Sequence, residues 1–336
     1  MTLQQVAIDM VRKGQGILAA DESTATIKKR FDSINVENNE INRRDYREML
    51  FSTKNAMQDY VSGVILFEET LSQKAKNDQS LVELIKAANS IPGIKVDKGA
   101  KPLAGHPGET VTEGLDGLRE RLEAYREQGA KFAKWRAVID IAEGLPTWGA
   151  VKANAHALAR YAALCQENSI VPIVEPEVLM DGDHTIDRCF DVTSFVLQTT
   201  FQELFDARVD LSAIVLKPNM IVSGKKCTTQ ASVDEVAEKT VKCLKQHVPS
   251  IVPGIAFLSG GQSDIEATAH LNAMNASYDM PWNLTYSYGR ALQAAALKAW
   301  AGEVENEAKA AAAFFHRAKM NGLASKGEWQ ADMEAV

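Results

Sequence analysis

Short apolar segments alternate along this chain with longer segments in which apolar residues recur at helical spacing. Eight of the apolar segments end in polar or glycine residues and are predicted to be strands. They are GILAAD (16–21), GVILF (63–67), GIKVD (93–97), FAKWRAVI (132–139), IVPIVEPEV (170–178), SAIVLKPN (212–219), GIAFLSGG (254–261) and NLTYSYG (283–289). Helices are predicted between them, for example over 115–128, 148–168, 232–247 and 262–275. Strands that alternate with helices in this way predict a parallel sheet with right-handed crossovers.

The number and spacing of these units predict an α/β fold, a (β/α)₈ TIM barrel that forms a single domain over residues 1–336. Successive strands begin 29 to 47 residues apart, which is close to one βα unit with insertions. Extra helices are predicted over 2–13, 27–33 and 41–54, and from 290 to about 323 with an interruption near Gly302. A doubly wound open sheet is the main alternative, but no GxGxxG motif follows the first strand.

Composition and charge narrow the classes of function. The 336 residues are 46% hydrophobic and 24% charged, which is ordinary for a globular protein with a large core. A net charge of −7 argues against a dedicated nucleic-acid binder, because phosphate backbones require a basic surface. The N-terminal segment lacks the apolar core of a signal peptide, and no stretch approaches 18 apolar residues. We therefore expect a cytoplasmic protein that binds neither nucleic acid nor membrane.

Lys217 ends an apolar run, AIVL, and is followed by Pro218, which stops the predicted strand. An amine at a dry strand end is poorly hydrated, which favours its neutral form and frees its lone pair to attack a carbonyl. For this residue alone, the alternative is a lysine with a buried stem whose amine reaches water. The residues at the other predicted strand ends help to decide between a nucleophile and an ordinary surface lysine.

Charged residues stand at or near several other predicted strand ends. They are Asp21 in the first strand, Lys95 and Asp97 in the third, Lys134 and Arg136 in the fourth, and Glu175 and Glu177 in the fifth. Residues two apart on a strand share a face, so the members of each of the last two pairs point the same way. A lone acidic residue at a strand end is commonly a cap, but buried lysines are rare unless they are paired. If the sheet closes, these side chains form a charge-compensated cluster, which is typical of functional sites.

Glycines after the last two strands predict a phosphate site. The residues are Ser259, Gly260 and Gly261 after the seventh strand, and Gly289 and Arg290 after the eighth. Glycine allows backbone N–H groups to approach an anion, and barrels commonly bind phosphate in these loops. A Gly-Gly pair by itself is equally typical of an ordinary loop. Arg136 or Arg30 is the candidate for a second phosphate on the opposite rim.

The sequence contains no clear set of metal ligands. The six histidines are scattered, and none repeats at ligand spacing. The cysteines at 165, 189, 227 and 243 have no CxxC spacing and are expected to be free thiols. Asp181, Asp183 and His184 in DGDH are better explained by a turn than by a weak cation site. We therefore predict neither a metal nor another cofactor.

Ten motifs, in order along nearly the whole chain, closely resemble class I fructose-bisphosphate aldolases. They are LAADES (18–23), GVILFEETL (63–71), GIKVDKG (93–99), PLAG (102–105), GLDGL (114–118), FAKWR (132–136), VPIVEPEVL (171–179), LKPNM (216–220), FLSGGQS (257–263) and SYGRALQ (287–293). The resemblance implies a metal-independent lyase on a (β/α)₈ barrel, usually a homotetramer. Its reaction would be the reversible cleavage of fructose 1,6-bisphosphate to dihydroxyacetone phosphate and glyceraldehyde 3-phosphate, in glycolysis and gluconeogenesis.

The resemblance also implies roles for the residues at the strand ends. Lys217 would form a Schiff base with the substrate ketone, and Glu175 would shuttle protons as the carbinolamine forms and dehydrates. Asp21 would transfer a proton at the carbon–carbon bond that breaks. Lys134 would orient these groups and favour the neutral form of the nucleophile. The implied substrate contacts are Lys95, Arg136, Ser259, Gly260 and Arg290, with Ser23, Arg30, Glu177 and Gly289 nearby.

Two segments depart from the family pattern. Residues 24–26 read TAT in place of the more usual TGS, which would alter the flexibility of the first loop. The chain ends in GEWQADMEAV, whereas animal-type members carry a longer tail whose final tyrosine protonates the enamine, so the donor for that step is left open. Two alternatives stay open beside the aldolase. A transaldolase-like Schiff-base barrel is separated from it by assaying transfer against cleavage, and a non-catalytic sugar-phosphate binding protein would bind without covalent trapping.

Overall fold

The centre of the fold is a closed barrel of eight parallel strands in the computed structural model, which describes residues 1–335. The strands of the chain are β1 (Gly16–Ala20), β2 (Val61–Leu66), β3 (Ile91–Lys95), β4 (Ala100–Pro102), β5 (Thr110–Thr112), β6 (Phe132–Ile139), β7 (Val171–Val178), β8 (Val215–Leu216), β9 (Gly254–Phe257) and β10 (Asn283–Tyr288). Around the barrel the order is β1-β2-β3-β6-β7-β8-β9-β10, and β10 pairs with β1 to close it. Strands β4 and β5 form a separate antiparallel hairpin. The predicted TIM barrel is confirmed.

Helices surround the barrel and extend it at both ends of the chain. They are α1 (Leu3–Met10), α2 (Thr24–Asp32), α3 (Glu40–Ser52), α4 (Lys54–Tyr60), α5 (Glu68–Ser72), α6 (Leu81–Ala87), α7 (Leu118–Glu127), α8 (Trp148–Glu167), α9 (Ile186–Asp206), α10 (Val233–His247), α11 (Asp264–Ser277), α12 (Arg290–Trp300) and α13 (Glu307–Ala324). Side-chain caps fix several starts; Ser263 and Glu266, for example, form a capping box on α11. Across residues 1–335, no helix has both the length and the apolar character needed to cross a lipid bilayer.

Alternate residues of the barrel strands point inward, and the lower part of the interior is apolar. Ile17, Phe132, Ile173 and Val215 belong to one buried cluster, which α1 closes from below. A methyl group on Gly93 would overlap the ring of Phe132, so the absence of a side chain there makes room for this floor. Residues two positions further along a strand share its inward face. This period places Lys134, Glu175 and Lys217 directly above the apolar floor.

The strand before Lys217 is shorter than predicted. Residues Leu211–Ala213 form a 3₁₀ turn instead, which is stabilised because the Asp210 carboxylate accepts hydrogen bonds from the N–H and the hydroxyl of Ser212 at 2.9 and 2.6 Å. Lys217 nevertheless donates its backbone N–H to the carbonyl of Val174 at 2.8 Å. It therefore continues the direction of β8 and reaches the barrel mouth from a paired backbone.

Candidate active site

Four buried or nearly buried ionisable side chains from four strands form a continuous network in the barrel mouth. The Nζ atom of Lys217 lies 3.1 Å from Glu175 Oε1. The other oxygen of that carboxylate, Oε2, lies 3.5 Å from Lys134 Nζ, which in turn lies 2.6 Å from Asp21 Oδ2. Lysines and carboxylates therefore alternate along the network. Pairing of this kind is what allows four charges to be withdrawn from water.

The neighbouring charges fix the ionisation of Asp21 and Lys134, the pair at one end of the network. Burial alone would raise the pKa of Asp21, but the charges of Lys134 and Lys217 outweigh it and hold this pKa below its ordinary value. Burial would likewise lower the pKa of Lys134, but the carboxylates of Asp21 and Glu175 raise it above its ordinary value. Lys134 is therefore a permanent cation at neutral pH. Of the two lysines in the network, Lys217 is the one suited to be the nucleophile.

Glu175 has one oxygen free for proton transfer. Its Oε2 atom is buried and, within residues 1–335, makes no hydrogen bond that meets ordinary geometry. The nearest cation is Lys134, whose Nζ atom lies 3.5 Å away, so this oxygen can still accept a hydrogen bond from a bound group. It lies on the same carboxylate that contacts the Lys217 amine. Glu175 can therefore exchange protons with groups bound at that amine.

Ion pairs also line the rim formed by β3, β6 and β7. Lys95 Nζ lies 2.8 Å from Asp97 Oδ1, and the side chain of Arg136 pairs with that of Glu177. The other oxygen of Asp97 accepts the backbone N–H of Arg136 at 3.4 Å, and its Oδ1 accepts that of Gly99 at 3.1 Å. Asp97 thus holds the ends of β3 and β6 together beneath two cations that face the mouth.

The predicted phosphate residues meet on the rim formed by β9, β10 and β1. Arg290 donates a hydrogen bond to the carbonyl of Gly260 at 3.4 Å and another to the carbonyl of Gln262. Ser259 is buried at the start of this turn. A methyl group on Gly289 would lie 3.5 Å from Arg30 Nη2, so the arginine of α2 reaches the glycine that follows β10. Two arginines and a turn rich in backbone donors therefore converge at this rim.

The two rims lie across the barrel mouth from each other. In the order of the eight strands, β6 is four strands away from β10, which is the largest separation that a ring of eight allows. Arg136 stands on β6, and Arg290 follows β10 directly. The alternating charge network lies in the mouth between them. An elongated ligand with an anionic group at each end matches this distribution of cations.

Several residues that build the site were not among the predicted site residues. Glu22 is buried, pairs with Arg30, and accepts a hydrogen bond at 3.0 Å from Gln293, whose side chain also donates to the carbonyl of Ala19 at 2.7 Å. Asn219 accepts the backbone N–H of Val178 at 3.0 Å and so ties the ends of β7 and β8. The LAADES, LKPN and SYGRALQ motifs contain these residues, but only the folded chain shows that each one positions a neighbour.

Ser23 and the DGDH segment have structural explanations in the fold. The Ser23 hydroxyl accepts the N–H of Thr26 at 3.4 Å and caps α2. Asp181 pairs with Lys225 at 2.9 Å, and His184 is buried, which lowers its pKa. No group of three or more histidine, cysteine, aspartate or glutamate side chains within residues 1–335 is arranged to hold a metal ion. The DGDH segment itself bends at Gly182 and Asp183.

Comparison with known proteins gives one consistent family. A family model described as fructose-bisphosphate aldolase class-I matches residues 2–336. A probable fructose-bisphosphate aldolase class 1 from Xanthomonas axonopodis pv. citri is 56% identical over 329 residues, which are 98% of each chain. The cytosolic fructose-bisphosphate aldolase 4 of Arabidopsis thaliana is 53% identical over 322 residues, which are 96% of this chain and 82% of that protein. A fructose-bisphosphate aldolase structure from Plasmodium falciparum superposes with a TM-score of 0.95 at 48% identity, covering 98% of this chain and 95% of that one.

Proposed function

The chain belongs to the class I fructose-bisphosphate aldolase family, and we propose that it performs the family's reaction through a Schiff base on Lys217. It is a lyase that cleaves fructose 1,6-bisphosphate reversibly to dihydroxyacetone phosphate and glyceraldehyde 3-phosphate. One observation carries the assignment of the nucleophile. The buried amine of Lys217 lies 3.1 Å from a carboxylate whose other oxygen is free for proton transfer, while the second lysine of the network is held as a cation.

Covalent bond formation begins when the neutral amine of Lys217 attacks C2 of the open-chain sugar. Glu175 protonates the hydroxyl of the resulting carbinolamine, which leaves as water and gives an iminium ion. The proton that Glu175 donates is the one it took from the Lys217 ammonium when the neutral amine formed, so the iminium and the Glu175 carboxylate restore the pair of opposite charges present before the step. Lys134 stays protonated and holds Asp21 and Glu175 in place. The bond formed is C2–N, and the bond broken is the one between C2 and its oxygen.

Cleavage of the C3–C4 bond follows from the electron demand of the iminium. Asp21, which is ionised at neutral pH, accepts the proton of the C4 hydroxyl as the bond breaks. The electron pair of that bond moves to the iminium nitrogen and leaves a neutral enamine, and glyceraldehyde 3-phosphate departs. Protonation of the enamine at C3 and hydrolysis of the imine by water release dihydroxyacetone phosphate and regenerate the amine. The positioned charges of the network lower the barrier for each transfer.

Substrate orientation is assigned to the two cationic rims. One phosphate binds Ser259, Gly260, Gly289 and Arg290 with Arg30 nearby, and the other lies toward Lys95 and Arg136, whose partner is Glu177. With the phosphates bound in this way, the ketone lies next to Lys217, because β8, which leads to Lys217, is adjacent to β9, which leads to the first phosphate site. Removal of either phosphate from the substrate should raise KM, since each rim loses a charge-assisted contact.

Borohydride trapping tests the assignment. Reduction with borohydride in the presence of dihydroxyacetone phosphate, followed by peptide mapping, should place one stable adduct on Lys217. The Lys217→Met variant should yield none, whereas Lys226→Met, which changes an exposed lysine, should be labelled like the unmodified protein. An adduct on Lys134 or on any other lysine would refute the mechanism. Cleavage activity that is lost on treatment with a chelator would also refute it.

We further propose that the protein is a cytoplasmic homotetramer. Trp148 and Phe205 lie on neighbouring helices α8 and α9, and they are 60% and 74% exposed although both are large and apolar. Exposed apolar side chains of this size are enriched in subunit interfaces. The mass of one chain is 36.7 kDa. Analytical ultracentrifugation should show a species of four times that mass. A monomer at micromolar concentration would refute the proposal.

A further inference from the structure

A lysine in the loop after β8 lies against the turn of residues 259–262, which we call the phosphate turn. A methyl group placed on Gly261 would overlap the Cε and Nζ atoms of Lys225, so the end of this side chain is packed beside the Gly261 α-carbon. Arg290 reaches the same turn through the carbonyls of Gly260 and Gln262. Two cations, one from the loop after β8 and one from the start of α12, therefore flank a turn of four residues.

Backbone hydrogen bonds fix the position of this lysine. Lys225 donates its N–H to the carbonyl of Met180 at 2.7 Å, and Gly224 donates to the carbonyl of His184 at 2.8 Å. Gly261 in turn donates its N–H to the sulfur of Met180 at 3.1 Å. The loops after β7, β8 and β9 are thus bonded to one another around Met180. Because of these bonds, the α-carbon of Lys225 is held next to the phosphate turn.

The ammonium group of Lys225 is free to exchange its partner. Its ion pair is with Asp181 at 2.9 Å, and the two side chains are 44% and 62% exposed. Pairs with this exposure are weak, because water and salt screen them. Meanwhile the N–H of Gly260 donates to no backbone carbonyl in residues 1–335. The turn therefore offers an unused backbone donor between two cations.

We propose that Lys225 is a further phosphate-binding residue, which with Arg290 brackets the phosphate group seated on the turn of residues 259–262. A phosphate ester carries nearly two negative charges at neutral pH, and a second cation matches the charge that Arg290 alone leaves uncompensated. Local cations matter in this chain because its net charge of −7 repels anions at long range. The identity of the ligand as a sugar phosphate rests on the proposed function, whereas the affinity of the turn for phosphate does not.

Paired lysine variants test the proposal. Lys225→Met should weaken the binding of inorganic phosphate, measured by isothermal titration calorimetry, and should raise KM for fructose 1,6-bisphosphate by about fivefold. The value of kcat should stay within about twofold, because the lysine touches neither the ketone nor the network around Lys217. Lys226→Met is the matched control, since it removes the adjacent exposed charge, and it should leave both values unchanged. Lys225→Arg should restore most of the affinity.

Ionic strength adds a readout that a purely structural role would not move. The difference between Lys225→Met and Lys226→Met should shrink as salt is raised, since the contact is electrostatic. Equal phosphate affinity and equal KM in the two variants would overturn the proposal. A loss of kcat without a change in KM would overturn it as well. If the unmodified protein bound phosphate but cleaved no fructose 1,6-bisphosphate, the proposed function would fail and the test of Lys225 would still stand.

Discussion

Replacement of Lys134 by methionine is the sharpest test of the buried charge network. At an effective dielectric constant of about 20, a unit charge at 2.6 Å from Asp21 and 3.5 Å from Glu175 contributes gross attractions of about 6 and about 5 kcal/mol. Glu175 keeps Lys217 as a partner in the variant, but Asp21 loses its ion pair. Removing one partner of a buried pair typically lowers the free energy of unfolding by about 3–5 kcal/mol, and we expect a loss in this range.

The pH dependence of that loss has a definite sign. In the unmodified protein the pKa of Asp21 is depressed, so its contribution to stability is complete above its ordinary pKa and is lost as the pH falls toward the lower pKa of the folded state. The raised pKa of Lys134 contributes stability that is complete at neutral pH and is lost only as the pH rises through that higher value. In Lys134→Met, burial of Asp21 should outweigh the remaining charge of Lys217 and raise the pKa of Asp21. The free energy of unfolding of the variant should therefore increase as the pH falls from about 7 to about 5, whereas that of the unmodified protein should change little over this range.

Urea denaturation at several pH values between 5 and 8 measures both effects. Lys131→Met is the matched control, because Lys131 is an exposed lysine immediately before the same strand, β6. The slope of unfolding free energy against urea should be compared first, so that the midpoints report stability alone. A loss below about 1 kcal/mol would place Lys134 among ordinary surface charges and refute the reasoning. Stability of the variant that stays level or falls between about pH 7 and about pH 5 would refute the charge argument.

Three further outcomes follow from the same geometry. Lys217→Met should lower kcat by more than about a thousandfold in a coupled cleavage assay, because the covalent route is lost, and substantial turnover would contradict the assigned nucleophile. Glu175→Gln should lower kcat by about 10²- to 10⁴-fold and flatten the pH–rate profile, since the amide cannot transfer protons; an unchanged profile would contradict its role. Phe132→Ala should lower the free energy of unfolding by about 3–5 kcal/mol in urea titrations, because Phe132 is a fully buried part of the barrel floor. A loss below about 1 kcal/mol there would mean that the floor repacks.

The fold followed from the sequence because its signals are local and repeated. Strand β6 begins and ends at the predicted residues, and each of the four inter-strand helices predicted by range lies within three residues of its prediction at both ends. The exceptions have local causes. Strand β8 covers only Val215–Leu216, and not the predicted 212–219, because Asp210 and Ser212 favour a 3₁₀ turn before it. The hairpin of β4 and β5 was not predicted, since its strands are three residues long and one contains a proline.

The site was predictable only in part, for a different reason. Period-two alternation along a strand identifies which side chains share a face, and this was enough to group Lys134 with Arg136 and Glu175 with Glu177. It does not identify partners on other strands, because these depend on how far each strand is staggered against its neighbour. The pairing of Lys134 with Asp21, which lies 113 positions earlier in the chain, exists only after the barrel closes. The positioning roles of Glu22 and Gln293 are of the same kind, since each binds groups from separate elements.

Register couples the chemistry of the mouth to the packing of the outer layer. In β6, Phe132, Lys134 and Arg136 alternate with Ala133 and Trp135, and Trp135 is fully buried with its ring 5.6 Å from that of Tyr161 on α8. A shift of one residue would point the tryptophan side chain into the barrel and the lysine side chain into the apolar layer beneath the helices. This shifted register would be unstable, because a buried lysine without a carboxylate partner is strongly disfavoured. The apolar half of the strand therefore selects the one register in which Lys134 meets Asp21 and Glu175.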